Sequence, residues 1–171
     1  MGRRSKGRGL IANLIGVGAF AALAACSPQV AAESSAGVET PAPSLHPVSR
    51  LQVIQLTVEG PGGTHRFAVE VADTPQAQSR GLMFRTELGP DEGMIFPYDG
   101  TTAQSFWMKN TPLPLDIIFI GPDGRISNIA AMTTPYSLDP VYSVGSVLGV
   151  LELAGGRAAE LGIAPGDKVE W

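Results

Sequence analysis

Two carboxylates, Asp116 and Glu152, stand out because each interrupts a run of apolar residues. A charge in such a run either faces solvent or is buried, and a buried carboxylate needs a partner because an unpaired one is costly. Three basic side chains are available as partners: Arg80, Arg85 and Lys109. We therefore expect an Arg–carboxylate pair that stabilises the fold, and the sequence leaves open whether Arg80 meets Asp116 or Glu152.

The same two carboxylates allow other interpretations. They could contribute to a polar ligand site, or they could act as general acid and base in a hydrolase or lyase. Acid–base catalysis of that kind requires carboxyl groups within about 10 Å of each other in one cleft. Nothing in the sequence fixes their separation, so pairing and ligand binding are favoured over catalysis, and no catalytic residue is identified.

A further group of candidate residues lies in the segment Phe106–Pro112. If residues 104–108 form a strand, Phe106 and Met108 share one face and Trp107 lies on the other. Trp107 then either packs in the core, with a turn after it, or lines a cleft whose end offers hydrogen-bond donors. On the second interpretation the ligand-binding residues are Arg80, Trp107, Lys109, Asn110, Asp116 and Glu152.

Composition excludes several other chemistries. The 171 residues include 12 basic and 16 acidic side chains, a net charge of -4 that argues against a nucleic-acid partner. The single cysteine, Cys26, excludes an internal disulfide and a multi-cysteine zinc site. No glycine-rich phosphate loop or dinucleotide motif occurs, and Met83, Met94 and Met108 lie in apolar triplets typical of core packing. We therefore expect no metal and no cofactor.

The N-terminal segment has the features of an export signal. Residues 1–9 are basic without an acidic side chain, and residues 10–25 are uncharged. The segment Leu23–Cys26 resembles the lipobox of bacterial lipoproteins, in which cleavage precedes a cysteine that carries a diacylglycerol. We therefore expect a signal peptide over 1–25 and a lipid anchor on Cys26 in the cell envelope or periplasm, at the outer membrane if the host has one. An ordinary signal peptidase would instead release a soluble form.

The remaining chain divides into a tether and one domain. Residues 26–50 are rich in Ala, Ser and Pro, which predicts a disordered tether with His46 solvated. Residues 51–171 alternate short apolar runs with turn residues, which predicts a mainly β (α+β) domain with two short helices. A hairpin is expected around Gly60–Gly63, and a helix from Pro75 to about Arg80. Seven or eight short strands predict a small barrel, closed or nearly closed.

Five ordered motifs in this domain resemble the family called domain of unknown function 192. They are Arg80–Arg85, Gly93–Phe96, Phe106–Thr111, Leu115–Phe119 and Leu151–Gly156. The resemblance runs from about Phe67 to Trp171. It implies an exported or membrane-tethered protein with a compact β-rich fold, and it brings no activity with it.

Three functional hypotheses follow. The first is a non-catalytic envelope domain that binds a small polar ligand through the residues named above. The second is a structural or protein-interaction module of the cell envelope, which predicts an exposed apolar patch. The third, least favoured, is a hydrolase or lyase that uses Asp116 and Glu152.

Overall fold

The computed structural model describes residues 44–171. The predicted signal peptide, the lipid attachment at Cys26 and most of the predicted tether lie outside these residues. Within residues 44–171 no helix is long and apolar enough to cross a membrane.

Residues 44–50, predicted as the end of the tether, belong to the folded part of the chain. Ser44 and Leu45 pair with the next strand, and the backbone N–H of His46 donates to the carbonyl of Leu51 at 2.8 Å. The His46 side chain is 18% exposed. The expectation that His46 is a solvated linker residue is therefore wrong, because its ring lies against Arg85 and Glu70 of the domain.

Residues 44–171 form ten strands and two short helices. The strands are β1 (Ser44–Leu45), β2 (Gln52–Gly60), β3 (Gly63–Val71), β4 (Glu92–Pro97), β5 (Ser105–Phe106), β6 (Leu115–Ile120), β7 (Ile126–Ala130), β8 (Val141–Tyr142), β9 (Gly149–Ala154) and β10 (Lys168–Glu170). The helices are α1 (Pro75–Arg80), between β3 and β4, and α2 (Arg157–Leu161), between β9 and β10. The mostly-β class is therefore confirmed.

Eight of these strands form one sheet, in the order β1-β2-β3-β4-β9-β6-β7, with β10 also paired to β2. Only the β3–β4 pair is parallel among the described strand pairs. The connection between those two strands carries α1, as parallel neighbours require a crossover. β5 and β8 form a separate two-stranded sheet.

The sheet curls towards a barrel but its strand path is not closed. β10 pairs with β2 on one side and forms a single bridge, Lys168 to Arg125, just before β7. Backbone bonds at Gly124 and Ile126 support this junction. The nearly closed form of the expected barrel fits the structure, and the closed form does not.

The core lies on both faces of the sheet. One cluster includes Ile118 and Leu151 and packs against α2, and the other includes Ile117 and Val150. Alternate residues of β6 and β9 therefore face opposite clusters, as strand geometry requires. Every residue of β6 is buried, so even its polar member must be satisfied within the protein.

Local signals in the sequence predicted the helices and the hairpin correctly. Thr74 caps α1, its hydroxyl oxygen accepting from the N–H of Ala77 at 3.1 Å, and Pro75 begins the helix. Gly81 ends α1 with a positive φ of 49°. The strand predicted over 104–108 is shorter, covering only β5, because the N–H of Met108 donates to Ser137 instead of to a neighbouring strand.

Candidate functional site

Glu152 lies at the centre of the sheet, on the strand β9. Its neighbours across the sheet are Met94 on β4 and Ile117 on β6. Both neighbours belong to the second core cluster, so the Glu152 side chain points to that face. Glu152 is only 5% exposed. A carboxyl group therefore lies among apolar side chains, held by strands on both sides.

A pocket of about 230 Å³ opens above Glu152. Its wall on one side is the end of α1 and the loop that follows, and on the other side the segment around β5. The residues that carry its chemistry are Arg80, Tyr98, Phe106, Trp107 and Glu152. Phe106 is fixed edge-on between the rings of Phe96 and Phe119, which gives the pocket a rigid apolar side.

No cation of residues 44–171 forms an ion pair with the Glu152 carboxyl group. Its Oε2 atom is buried without a hydrogen-bond partner among the described residues. Burial, which disfavours the charged form, raises the pKa of Glu152 to about 8. Glu152 therefore carries its proton at neutral pH and offers one O–H donor and one carbonyl acceptor.

Tyr98 follows β4 and lies in the same pocket. Burial raises the pKa of Tyr98, and the nearby Glu152 carboxyl raises it further. Its phenol stays neutral through the physiological range and can both donate and accept a hydrogen bond. Two neutral hydroxyl-bearing groups therefore line the inner part of this pocket.

Two cations close to the pocket, Arg80 in its lining and Lys109 outside it, each lie against an aromatic ring. The Arg80 guanidinium carbon is 5.9 Å from the ring centre of Phe84, and Lys109 Nζ is 5.1 Å from that of Trp107. Trp107 is half exposed. It lines the Glu152 pocket and also a second pocket on its other side, near Met132. The interpretation of Trp107 as a cleft residue, rather than core, fits this position.

Asn110 joins the two loops that form the pocket mouth. It has a left-handed backbone with φ of 55°, and its carbonyl accepts from the N–H of Phe84 at 2.8 Å. Its amide also contacts the sulfur of Met83 at 3.8 Å. Neither Asn110 nor Lys109 lines the Glu152 pocket, so Asn110 supports the loops while Lys109 supports Trp107.

Asp116 lies on the opposite face of the sheet from Glu152. In the pairing of β6 with β9, Asp116 is opposite Leu153, and Ile117 is opposite Glu152. The two carboxyl groups therefore cannot share one cleft. The hydrolase or lyase hypothesis that relied on both of them is wrong.

Asp116 is fully buried and is satisfied by backbone donors. Its Oδ1 accepts from the N–H groups of Met132 and Gly156 at 2.8 and 2.9 Å, and its Oδ2 accepts from Ala158 at 2.8 Å. Gly156 precedes α2 and has no side chain to cap that helix. Asp116 supplies the missing cap from another strand. It is a structural residue and not part of the pocket.

The expected Arg–carboxylate pair exists between other residues. Arg85 Nη2 donates to both carboxylate oxygens of Glu70, at 2.6 and 2.7 Å, and lies 3.2 Å from Nδ1 of His46. Among the ion pairs of residues 44–171, Arg80 meets neither Asp116 nor Glu152. The expectation of such a pair for these two carboxylates is therefore wrong.

Sequence reasoning missed Tyr98 and Glu70. Glu70 alternates with Val69 and Val71 in β3, a pattern that predicts a solvent-facing position. In the structure Glu70 is buried against Arg85 and His46. Tyr98 follows Pro97 at the end of β4, where its side chain could not be oriented from spacing alone. Tyr98 lies two residues after the motif Gly93–Phe96, and this proximity was the one signal in the sequence that could have identified it.

The comparisons with known proteins agree with this fold. A crystal structure of a protein of unknown function from Novosphingobium aromaticivorans is 55% identical with a TM-score of 0.74, covering 78% of this chain and 95% of that one. A crystal structure of a proposed transcription regulator from Sinorhizobium meliloti is 40% identical with a TM-score of 0.65, covering 68% and 91%. No curated protein matches the chain.

The family model agrees with the motif resemblance. It covers residues 56–171, which include all five motifs, the Glu152 pocket and the Asp116 cap. The chain therefore belongs to the family domain of unknown function 192 (DUF192, Uncharacterized ACR).

Proposed function

We propose that this domain is a non-catalytic binding module and that the Glu152 pocket receives a small polar ligand. The observation that carries the proposal is the buried Oε2 atom of Glu152, which has no partner among the described residues and belongs to a side chain lining an open pocket. A buried polar group without a hydrogen bond lowers stability. In this proposal a ligand in the pocket supplies the missing partner.

The surroundings of Glu152 suit binding more than catalysis. Asp116 accepts three backbone hydrogen bonds on the other face of the sheet. Among the described residues that line the pocket, Glu152 is the one carboxyl group. Arg80 offers a donor at the pocket wall, and Trp107 offers a flat apolar face. Polar groups that converge beside a flat aromatic face suit a small polar ligand.

The test is native mass spectrometry of the full protein, purified gently from its own host. We expect an added mass that survives desalting and is lost in Trp107→Ala and in Glu152→Leu. Trp171→Phe is the matched control, because Trp171 lies outside the pocket. A mass without adduct, or an adduct that persists in both pocket variants, contradicts the proposal.

We also propose that the protein is held in the cell envelope by a lipid on Cys26. The support is the basic and then apolar N-terminus followed by the lipobox-like segment Leu23–Cys26. Cys26→Ser should move the protein from the membrane fraction to the soluble fraction. Metabolic labelling with a fatty-acid analogue should mark the parent chain and not the variant, and equal labelling of both would contradict the anchor.

A second candidate function is docking on another envelope protein. Its support is a set of exposed apolar side chains beside Trp107. Backbone bonds tie Phe84 to Asn110 and Tyr136 to Thr111, so both aromatic residues flank the Trp107 loop. A photo-crosslinker placed at Tyr136 should capture one protein in the host envelope, with the exposed Val144 position as control. Equal products at both positions would contradict specific docking.

The likeness to a proposed transcription regulator does not change this choice. A nucleic-acid-binding domain needs a basic face. This chain carries a net charge of -4, and its N-terminal signal-like segment holds four of its 12 basic residues.

A further inference from the structure

We infer that the ligand of the Glu152 pocket is a neutral sugar ring, whose adjacent hydroxyl groups form hydrogen bonds with the buried Glu152 carboxyl group while one face of the sugar ring packs on Trp107. This inference rests on the proposed function, because it names the chemical class for the same site. It follows from the buried and unpartnered Glu152 carboxyl group, the donors and acceptors that line the same pocket, and the half-exposed Trp107 ring.

The pocket favours a neutral partner over a cation. Glu152 lies between Met94 and Ile117, which supply no charge. The charged and titratable side chains that line the pocket with it are Arg80 and Tyr98. Burial is the cause of the raised pKa of Glu152, and no cation in the described part of the chain counteracts it. An ammonium ligand would first require Glu152 to lose its proton, whereas a neutral ligand requires no change of charge.

A protonated carboxyl group and two adjacent hydroxyl groups complement each other. The carboxyl O–H donates to one hydroxyl oxygen, and the carbonyl oxygen accepts from the other hydroxyl. The phenol of Tyr98 offers another donor and acceptor in the same pocket. These groups can satisfy several hydroxyls without burying a net charge.

Trp107 provides the apolar surface that a sugar ring needs. A sugar ring has hydroxyls at its edge and C–H groups on its faces, so it matches a flat aromatic wall beside polar groups. The half-exposed Trp107 lines the pocket together with Glu152. The Lys109 ammonium lies 5.1 Å from the Trp107 ring centre and helps hold the ring in place. The pocket volume of about 230 Å³ suits one ring rather than an extended chain.

The experiment titrates methyl glycosides of several hexoses into the full protein carrying Trp171→Phe, so that Trp107 is the remaining tryptophan. Binding should change its fluorescence at pH 6. Since the pKa of Glu152 is about 8, the affinity should fall about tenfold between pH 7 and pH 9. Glu152→Gln, which keeps a neutral donor and acceptor, should bind with no such pH dependence, and Glu152→Leu should not bind.

A second probe, n-butylammonium, tests whether the pocket instead binds a cation through ionised Glu152. If it binds, tightens as the pH rises towards 8 and is lost in Glu152→Gln, the inference is overturned. A non-carbohydrate adduct in native mass spectrometry, with no glycoside binding, also overturns it while leaving the proposed function intact. No adduct and no binding of any probe overturns both.

Discussion

The burial of Glu152 predicts an unusual dependence of stability on pH. Its pKa rises from 4.5, the ordinary value, to about 8 in the folded protein. Between these two values the unfolded chain has released the proton that the folded chain keeps. Unfolding is then accompanied by proton release, so the free energy of unfolding falls as the pH rises. This stability is fully present below pH 4.5 and is lost by about pH 8.

The magnitude follows from the size of the shift. Each pH unit within the window lowers the free energy of unfolding by about 1.4 kcal/mol. Over the interval from 4.5 to about 8 the loss amounts to about 5 kcal/mol. Glu152→Gln has no proton to lose. Its stability should therefore exceed that of the parent chain progressively as the pH rises, with the difference constant above about pH 8.

Urea denaturation of the ligand-free protein, repeated at intervals from pH 5 to pH 9, measures this difference. Other titrating groups affect both proteins equally, so the gap between the two curves isolates Glu152. Glu87→Gln, at an exposed position, is the matched control and should follow the parent curve. Parallel curves for the parent and Glu152→Gln across the whole range would refute the burial argument.

Three further substitutions test structural roles by chemical denaturation. Asp116→Ala leaves three backbone donors without their acceptor and should cost about 3 kcal/mol or more; a loss below about 1 kcal/mol would mean that water replaces the carboxylate. Arg85→Met leaves the buried Glu70 carboxylate without its cation and should lower the free energy of unfolding by about 3 kcal/mol. Adding Glu70→Gln should recover much of this loss, and additive losses in the double variant would contradict the pair. Thr74→Ala removes the cap of α1 and should cost about 1 kcal/mol, with Thr74→Ser retaining it.

The elements that the sequence predicted well are those fixed by neighbouring residues. Thr74, Pro75 and Gly81 determine α1 within one short segment, and the turn Gly60–Gly63 determines the β2–β3 hairpin. Each of these signals acts over a few residues and needs no knowledge of the rest of the fold. Their agreement with the structure reflects local backbone chemistry.

The relation between Asp116 and Glu152 could not be predicted in the same way. Each carboxylate occupies an apolar strand, but their relative orientation depends on the register of β6 against β9. A slip of one residue would bring both to the same face. That register is set by core packing between distant parts of the chain, so it cannot be deduced from the sequence of β6 or of β9 alone. The pairing of Arg85 with Glu70 could not be predicted for the same reason, because it joins a loop residue to a strand residue 15 positions earlier in the chain.

The position of β9 in the sheet has a consequence for how the chain folds. β9 separates β4 from β6, although it follows both of them in the chain. Until Gly149–Ala154 inserts, β4 and β6 each present an unpaired edge, and such edges associate with other chains. The pairing joins distant segments, which makes this step slow. Because Glu152 lies on β9, its pocket forms in the same step that removes the aggregation-prone edges, so an incompletely folded chain has no site.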